Sequence, residues 1–342
     1  MIPPSIVEWG IEFVVALQAI GDWLIFPMSL ATFMGNTEFY LLLLPAIYWC
    51  IDRHLGIRVG VVLMLNSALF DLLKMTFHDP RPYWYDLRVR LIGSGESSFG
   101  LPSGHAQNAI VFWGLIAAYI QKWWFWLIAI FIAATVGLSR AFLGVHFPTD
   151  ILGGWALGII VLILILWLEA PFLRWFNRYS TGMRIAMVFV FSLVLVMTAQ
   201  LVVAMVSSGW QLPNEWIINA QVADPDEAIG NLNIGSMMNA AGGLFGIAGG
   251  VIWLNARGAF DPGGPILKRF GRYLLGLVGV VVIWFGLGAL IDSMVAHDSI
   301  VDFVLSYVIF GLVGLWVTAL APLIFMKIGW ADRLPNRASK TT

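Results

Sequence analysis

The chain has 342 residues, of which 60% are hydrophobic and 11% are charged, with a formal net charge of -1. A soluble globular protein is usually about half apolar and about a quarter charged, so this composition leaves too little polar surface for a water-facing body. It indicates one polytopic membrane domain rather than two soluble ones. It also excludes a nucleic-acid-binding protein, a disordered protein and a disulfide-stabilised secreted protein, since there is no global basic charge and only one cysteine, Cys50.

The N-terminal segment is apolar and acidic. Its first 34 residues contain no Lys or Arg but include Glu8, Glu12 and Asp22, whereas a cleavable signal peptide needs a positively charged start. Apolar residues recur at helical spacing, at Ile6, Val7, Ile11, Val14 and Leu17. The segment is therefore predicted to form a helix that lies in the membrane interface.

Apolar stretches follow along the rest of the chain. About 20 apolar residues are needed for a helix to cross the hydrocarbon core. The candidate spans are 39–51 (extended from Asn36), 59–70, 106–120, 123–138, 151–168, 185–206, 235–254, 273–291 and 303–326. The sequence thus predicts an all-α integral membrane protein with about nine transmembrane helices plus the N-terminal interfacial helix.

The basic residues indicate an orientation. If the spans alternate in direction, 14 of the 19 Lys and Arg fall on one side, which the positive-inside rule makes cytoplasmic. The facing loops at 207–234 and 292–302 contain no Lys or Arg and hold acids instead, such as Asp224, Asp226, Glu227 and Asp298. The five remaining cations lie on the non-cytoplasmic side, at Lys74, Arg81, Arg88, Arg90 and Arg140.

Three short segments bring ionisable residues to that side. They are residues 74–82 after the second span, 102–105 before the third, and 139–150 between the fourth and fifth. Ionisable groups near a membrane are costly and usually mark a functional site. Lys74, Arg81 and Arg140 can neutralise a multiply charged anion, and the planar fork of Arg suits phosphate.

The remaining residues of these segments suggest acid–base chemistry. Ser103 and Gly104 precede a helix start, whose free N–H groups and positive dipole end favour an anion. Asp150 follows His146 by one helical turn, so its carboxylate can hold one ring nitrogen and leave the other as a nucleophile. His105, on a different helix, can protonate a leaving oxygen. Clustered carboxylates typical of a divalent-metal site are missing from these motifs, so neither a metal nor another cofactor is predicted.

Three patterns within residues 74–150 resemble the three signature motifs of the type 2 phosphatidic acid phosphatase superfamily. They are Lys-x6-Arg-Pro, Pro-Ser-Gly-His and Ser-Arg-x5-His-x3-Asp. That family includes lipid phosphate phosphatases, glucose-6-phosphatase and vanadium haloperoxidases. The resemblance implies a phosphate pocket formed by Lys74, Arg81, Ser103, Gly104 and Arg140. It also implies that His146 is phosphorylated, with Asp150 as its partner and His105 as the acid.

Together with the motif residues and the distribution of Lys and Arg, the resemblance predicts a metal-independent membrane phosphatase, in a cell or inner membrane, whose catalytic face is non-cytoplasmic. Its expected partners are membrane lipids and a lipid phosphate substrate: a polyprenyl, phosphatidate-like or long-chain-base phosphate. Residues 1–206 would form the phosphatase core with its interfacial helix, and residues 207–342 a three-helix membrane extension with an acidic external loop. Two alternatives remain open: a phosphatase of a soluble sugar phosphate, and a non-hydrolytic phospholipid-binding or transport protein.

Three further features lie outside these motif residues. The first two have both a structural and a functional interpretation, and the third has a structural one. Tyr83, Trp84 and Tyr85 either belong to an aromatic belt at the interface or shape the substrate entrance. Arg88 and Arg90 either help a charged headgroup to dock or are simply solvated. Gly242, Gly246 and Gly250 repeat at GxxxG spacing, which predicts close helix packing.

Overall fold

The structure, a computed structural model, describes residues 3–226, 229–230 and 232–334. Over these ranges the regular secondary structure is helical, and the only β-type pairing is an isolated bridge between Phe260 and Arg333. The prediction of an all-α fold is confirmed. Glu227, Arg337 and Lys340, which contribute to the predicted charge asymmetry, lie outside the described residues.

Helices in the first half of the chain carry the three motifs. They are α1 (Pro4–Gln18), α2 (Ile25–Phe33), α3 (Thr37–Cys50), α4 (Arg53–Phe77), α5 (Pro82–Tyr85), α6 (Gly104–Ile120), α7 (Trp123–Phe142) and α8 (Pro148–Phe176). A short 3-10 helix, Asp22–Leu24, precedes α2.

Helices in the second half are mostly long and apolar. They are α9 (Thr181–Ser207), α10 (Asn214–Ala223), α11 (Gly235–Asn255), α12 (Ile266–Val281), α13 (Leu287–Asp292), α14 (Ile300–Leu315) and α15 (Ala321–Lys327). Two π-helical turns, Val282–Gly286 and Trp316–Leu320, connect α12 to α13 and α14 to α15.

Seven helical segments within the described ranges are long and apolar enough to cross a membrane. They are Arg53–Tyr85, Trp123–Phe142, Pro148–Phe176, Thr181–Ser207, Gly235–Asn255, Ile266–Ile291 and Ile300–Lys327. The pair Pro4–Gln18 and Asp22–Phe33 is bent by 89° and would make an eighth if it counted as one span. Of the predicted spans, α3 has only 14 residues and α6 only 17, so the number nine stays a prediction.

Contacts divide the chain into two compact units. The first unit comprises Met1–Tyr40, Leu69–Ile165 and Ala199–Asn233, and the second comprises Leu41–Ala68, Leu166–Thr198 and Ile234–Thr342. The first unit has a core of fully buried residues that come from α1, α5, α6 and the α7–α8 connection, among them Ile11, Val14, Trp84, Ala106 and Phe142. All three motifs lie in this unit.

The second unit contains the glycine repeat. Helix α11 packs along α14, and the carbonyl oxygens of Tyr307 and Gly311 stand against Gly242 and Gly246 so closely that a Cβ atom would overlap them. The hydroxyl of Thr318 stands equally close to Gly250. The prediction of close helix packing at this repeat is confirmed, and the packing occurs within one chain.

Candidate active site

The third motif is held in a tight connection between α7 and α8. Gly144 adopts a φ of +81° there, a conformation that glycine reaches without the steric cost of a Cβ. A Cβ at Gly144 would stand 2.5 Å from the carbonyl oxygen of Arg90. Pro148 then begins α8 with a φ already suited to a first turn, and this turn places Asp150 beside His146.

His146 and Asp150 form the pair that their spacing predicts. Nδ1 of His146 lies 3.1 Å from Oδ2 of Asp150, and the same oxygen accepts a hydrogen bond of 2.9 Å from the N–H of Phe147. His146 is 1% exposed and Asp150 is fully buried. Because the carboxylate can only accept, Nδ1 carries the proton and Nε2 keeps its lone pair.

Arg81 lies on the open side of the His146 ring. Its Nη1 is 3.3 Å from Nε2 of His146 and donates to the carbonyl of Val145 at 2.8 Å. Its Nε and Nη2 donate to the carbonyl and hydroxyl of Ser98 at 2.6 and 3.0 Å. Nζ of Lys74, in the last turn of α4, donates to the same hydroxyl at 3.0 Å. Ser98, which no motif includes, thus joins two of the predicted phosphate ligands.

Arg140 lies in the last turn of α7 and is 5% exposed. Its Nη1 donates to the hydroxyl of Thr32 at 2.8 Å, and its Nη2 makes a very short contact with Oε1 of Glu96. Nη2 of Arg81 lies 3.4 Å from the other oxygen of Glu96. Glu96 therefore bridges the two arginines that the motifs assign to phosphate.

The second motif lies at the start of α6. Its N–H groups were predicted to bind an anion, but the N–H of Ser103 has a different acceptor. Ser103 is the N-cap residue, and its N–H donates to the carbonyl of Asp150 at 3.0 Å, so this N–H is not directed at an anion. The Ser103 hydroxyl is fully buried and has no hydrogen-bond partner among the described residues. Gly104 packs against Phe70, and a Cβ there would stand 3.1 Å from that ring.

His105, on the first turn of α6, is partly buried. Its Nε2 lies 2.9 Å from Oδ1 of Asn36, which precedes α3. All eight predicted site residues lie in the first unit. Sequence reasoning missed Thr32, Asn36, Glu96 and Ser98. The only sequence signal for Glu96 was its position as an acidic residue in a Gly- and Ser-rich stretch between the first and second motifs.

The segment that carries Glu96 and Ser98 is anchored by hydrogen bonds from the loop between α9 and α11. Asp224 accepts a hydrogen bond of 2.8 Å from the N–H of Gly95, and the N–H of Gly230 donates to the carbonyl of Ser97 at 2.8 Å. Asn219, on α10, donates to the carbonyl of Trp84 at 3.0 Å. This loop, which no motif required, therefore supports the wall of the site.

Four of the aromatic and basic residues beside the site are either packed in the core or ion-paired, namely Tyr83, Trp84, Arg88 and Arg90. Tyr83 and Trp84 are 1% and 0% exposed and belong to the core, so the prediction of an interface belt is wrong for both. Arg88 pairs with Asp86 and Glu8, and Arg90 with Asp22. Acids of the N-terminal segment thus compensate the two cations that the sequence left unassigned.

Charge and burial shift two pKa values in the loops of the site. Burial by itself would raise the pKa of Glu96, but Arg81 and Arg140 outweigh it and hold the pKa well below its usual range. The pKa of His146 is well below its ordinary value because the ring is buried and faces Arg81 and Lys74. Glu96 is therefore anionic and His146 neutral at physiological pH.

Where the chain is described, no three His, Cys, Asp or Glu side chains are grouped so that they could hold a metal ion. Metal independence itself stays a prediction.

Fold and site together define an integral membrane protein whose buried His–Asp pair faces a cluster of cations. Two family models match the chain: one described as the PAP2 superfamily, over residues 55–174, and one described as a PAP2 superfamily phosphatase transmembrane extension, over residues 238–333. The chain belongs to the PAP2 superfamily, the type 2 phosphatidic acid phosphatases, and it is a phosphatase. The resemblance read from the three motifs is confirmed.

Individual relatives agree with this family. Phosphatidylglycerophosphatase B of Bacillus subtilis is 33% identical over 42% of this chain and 74% of the relative. A probable sphingosine-1-phosphate phosphatase of Dictyostelium discoideum is 29% identical over 43% of this chain, but the match spans only 39% of that relative. A crystal structure of a transmembrane PAP2-type phosphatidylglycerolphosphate phosphatase from Bacillus subtilis is 29% identical, covers 50% of this chain and 89% of its own, and has a TM-score of 0.44.

Proposed function

We propose that this chain is a metal-independent phosphatase that removes the terminal phosphate of a membrane lipid through a phosphohistidine at His146. The observation that carries the proposal is the direction of the His146 ring. Asp150 takes the Nδ1 side, while Nε2 faces Arg81 at 3.3 Å. A neutral imidazole held in this tautomer beside a cation is suited to attack a phosphoryl group.

In the first step, the Nε2 lone pair of His146 attacks phosphorus in line with the bond to the lipid oxygen. As that bond breaks, His105 donates a proton to the departing oxygen, and the lipid leaves as an alcohol, or as a monophosphate if the substrate was a diphosphate. Lys74, Arg81 and Arg140 stabilise the negative charge on the three equatorial oxygens. The Ser103 hydroxyl, which is buried and has no partner among the described residues, would donate to one of them.

In the second step, water attacks the phosphorus of phosphohistidine, and the bond from phosphorus to Nε2 breaks. His105, which lost its proton in the first step, takes one from the water. Inorganic phosphate then leaves. Asp150 holds the His146 ring and stabilises its positive charge while the ring carries the phosphoryl group.

A lipid substrate is supported by the setting of the site. The chain is an integral membrane protein, and the three motifs lie at the ends of helices that are long or apolar. An amphiphile can keep its tail in lipid while its headgroup enters such a site. The two relatives described above are named for a glycerophospholipid phosphate and a long-chain-base phosphate, and we extend this class of substrate to the present chain.

Orientation and organisation complete the proposal. We place the catalytic face on the non-cytoplasmic side, because 14 of the 19 Lys and Arg fall on the other side in the nine-span arrangement. We also keep the boundary between the core and the extension near residue 206. The match of residues 238–333 to a transmembrane extension supports an addition after the core.

A substrate panel tests the proposed class. Purified protein in detergent should release phosphate from polyprenyl, phosphatidate-like and long-chain-base phosphates, with or without EDTA, and far more slowly from glucose 6-phosphate. Turnover of the sugar phosphate with failure on every lipid would favour the soluble-substrate alternative. Loss of turnover in EDTA, restored by a divalent metal, would contradict metal independence.

The nucleophile is tested with His146→Ala, which should lower turnover by about 10³-fold or more while the protein keeps its fold. Acid-labile and base-stable radiolabel from a ³²P-phosphorylated substrate should appear on the wild type in a rapid quench and not on this variant. His297→Ala, outside the motifs, is the matched control and should behave as the wild type. A His146→Ala variant that binds phosphate without hydrolysis supports the mechanism, whereas full hydrolysis would contradict it.

A further inference from the structure

The carboxylate of Glu96 stands where a substrate phosphate would bind. It contacts Nη2 of Arg140 through one oxygen and Nη2 of Arg81, at 3.4 Å, through the other. A phosphate uses guanidinium groups in the same way, through two charge-assisted hydrogen bonds. The Glu96 side chain is 30% exposed, while those of Arg81 and Arg140 are 0% and 6% exposed. The glutamate therefore covers the arginines from the more accessible side.

Glu96 also sets the charge of the pocket. Lys74, Arg81 and Arg140 provide three positive charges, and the carboxylate reduces the net charge to +2. A phosphomonoester carries about -1.5 to -2 near neutral pH, so the pocket with Glu96 matches one such group. Without this carboxylate, the pocket would favour groups of higher negative charge and would hold the released phosphate more tightly.

Substrate could displace the carboxylate without moving the backbone. Glu96 N–H donates to the hydroxyl of Tyr83 at 2.8 Å, and that hydroxyl donates to the Glu96 carbonyl at 3.3 Å. The neighbouring residues are held by Asp224 and Gly230. Because the backbone is held on both sides, only the Glu96 side chain would have to move for a phosphate to reach both arginines.

We propose that Glu96 is a specificity-determining residue of the phosphate pocket, whose carboxylate competes with phosphate for Arg81 and Arg140. This competition selects a singly phosphorylated, dianionic end group and speeds release of the inorganic phosphate product. The inference rests on the proposed function, because it takes the pocket of Lys74, Arg81 and Arg140 as the phosphate site. A purely structural role, in which Glu96 only keeps Arg140 in position, predicts the opposite effect on phosphate affinity.

The test is product inhibition in a Glu96→Gln variant, which keeps the shape of the side chain and removes its charge. Hydrolysis of p-nitrophenyl phosphate by the full-length protein in detergent is followed through nitrophenol, with added inorganic phosphate or pyrophosphate as inhibitor. We expect the Ki for phosphate to fall about tenfold, since a charge-assisted competitor is removed, and the Ki for pyrophosphate to fall further. Glu12→Gln, at an exposed position of α1, should leave both values unchanged.

The outcomes separate the two proposals. Arg140→Gln should raise the Ki for phosphate, because it removes a ligand of the pocket. Inhibition of the wild type by phosphate, weakened in Arg140→Gln, would support the phosphate pocket. If Glu96→Gln then leaves the Ki for phosphate unchanged or raises it, the proposed role of Glu96 is wrong while the pocket is retained. If phosphate does not compete with substrate in the wild type and Arg140→Gln changes nothing, the pocket itself is wrong.

Folding is checked by thermal unfolding of each variant. Glu96→Ala provides a second removal of the charge and should lower the Ki for phosphate in the same direction. If neither Glu96→Gln nor Glu96→Ala folds, Glu96 is a structural ion-pair residue and the proposal fails.

Discussion

The Nε2 of His105 lies 2.9 Å from the side-chain oxygen of Asn36, so the candidate acid is hydrogen-bonded to the short connection before α3. The amide oxygen accepts only, so it holds the Nε2 proton, and the proton given to the leaving oxygen would come from Nδ1 of the doubly protonated ring. Asn36 belongs to none of the three motifs. We infer that it is a positioning residue, which orients the His105 ring for proton transfer.

His105→Ala should slow substrates with poor leaving groups far more than activated ones. For an alkyl lipid phosphate, kcat should fall by about 10²–10⁴-fold, the range of general acid catalysis. For p-nitrophenyl phosphate the loss should be small, because nitrophenolate leaves without a proton. Asn36→Ala should show the same dependence on the leaving group with a smaller amplitude, and Asn177→Ala should show none. An equal loss on both substrates would contradict the assignment of the acid.

The lowered pKa of His146 predicts activity that persists into mildly acidic conditions. An ordinary histidine titrates near 6.5, but burial, followed by Arg81 and Lys74, depresses the pKa of His146. The neutral ring is therefore retained as the pH falls through 6.5, and activity should be lost only below that value. Since a phosphomonoester itself titrates near pH 6, the ring is best followed directly, through its ¹⁵N signals in a His105→Gln background.

In this titration, Lys74→Met should move the pKa of His146 upward, toward its ordinary value. The His54→Gln variant removes a histidine that belongs to no motif, so its spectrum is the control for assigning the histidine ¹⁵N signals. A His146 pKa at or above 6.5 in the otherwise unchanged site would show that the cations do not govern this ring.

The sequence predicts the site residues that lie at fixed spacings within the three motifs. His146 and Asp150 are one helical turn apart, so their contact follows from local geometry, and the long apolar helices follow from composition. Glu96, Ser98 and Thr32 contact the motif residues only through the tertiary fold, which a spacing pattern does not encode. The N–H of Ser103 was misassigned for the same reason, because its acceptor, the carbonyl of Asp150, lies 47 positions further along the chain.

Asp224 should matter to catalysis although it is remote from the motifs. Asp224→Ala removes the acceptor of the Gly95 N–H, a hydrogen bond of 2.8 Å, and leaves the segment that carries Glu96 and Ser98 less constrained. We expect faster hydrogen exchange at residues 93–100 and a fall in kcat/KM of up to about 10- to 150-fold, which corresponds to the loss of one hydrogen bond to a charged group. Asp226→Ala, at an exposed position of the same loop, should change neither. Unchanged exchange at residues 93–100 would contradict the anchoring role.

The glycine repeat predicts an effect on stability. Gly246→Ala places a methyl group against the carbonyl oxygen of Gly311 and forces α11 away from α14. Such overpacking typically costs about 1–3 kcal/mol, so the Tm in detergent should fall by several degrees. Gly249→Ala is the matched control, because its Cβ would stand 3.6 Å from Phe245, an ordinary contact. Equal melting temperatures for the two variants would show that α11 and α14 are not packed this closely.

Thr32 and Asn36 give the N-terminal segment a part in the site, since they accept hydrogen bonds from Arg140 and His105. A fragment that starts after residue 36 would keep every signature position between residues 74 and 150 and still lack both acceptors. A genome survey that scores only the three motifs would count such a truncated gene as a complete phosphatase. For this chain, a start codon placed after residue 36 would remove two hydrogen-bond acceptors of the candidate site without disturbing any motif residue.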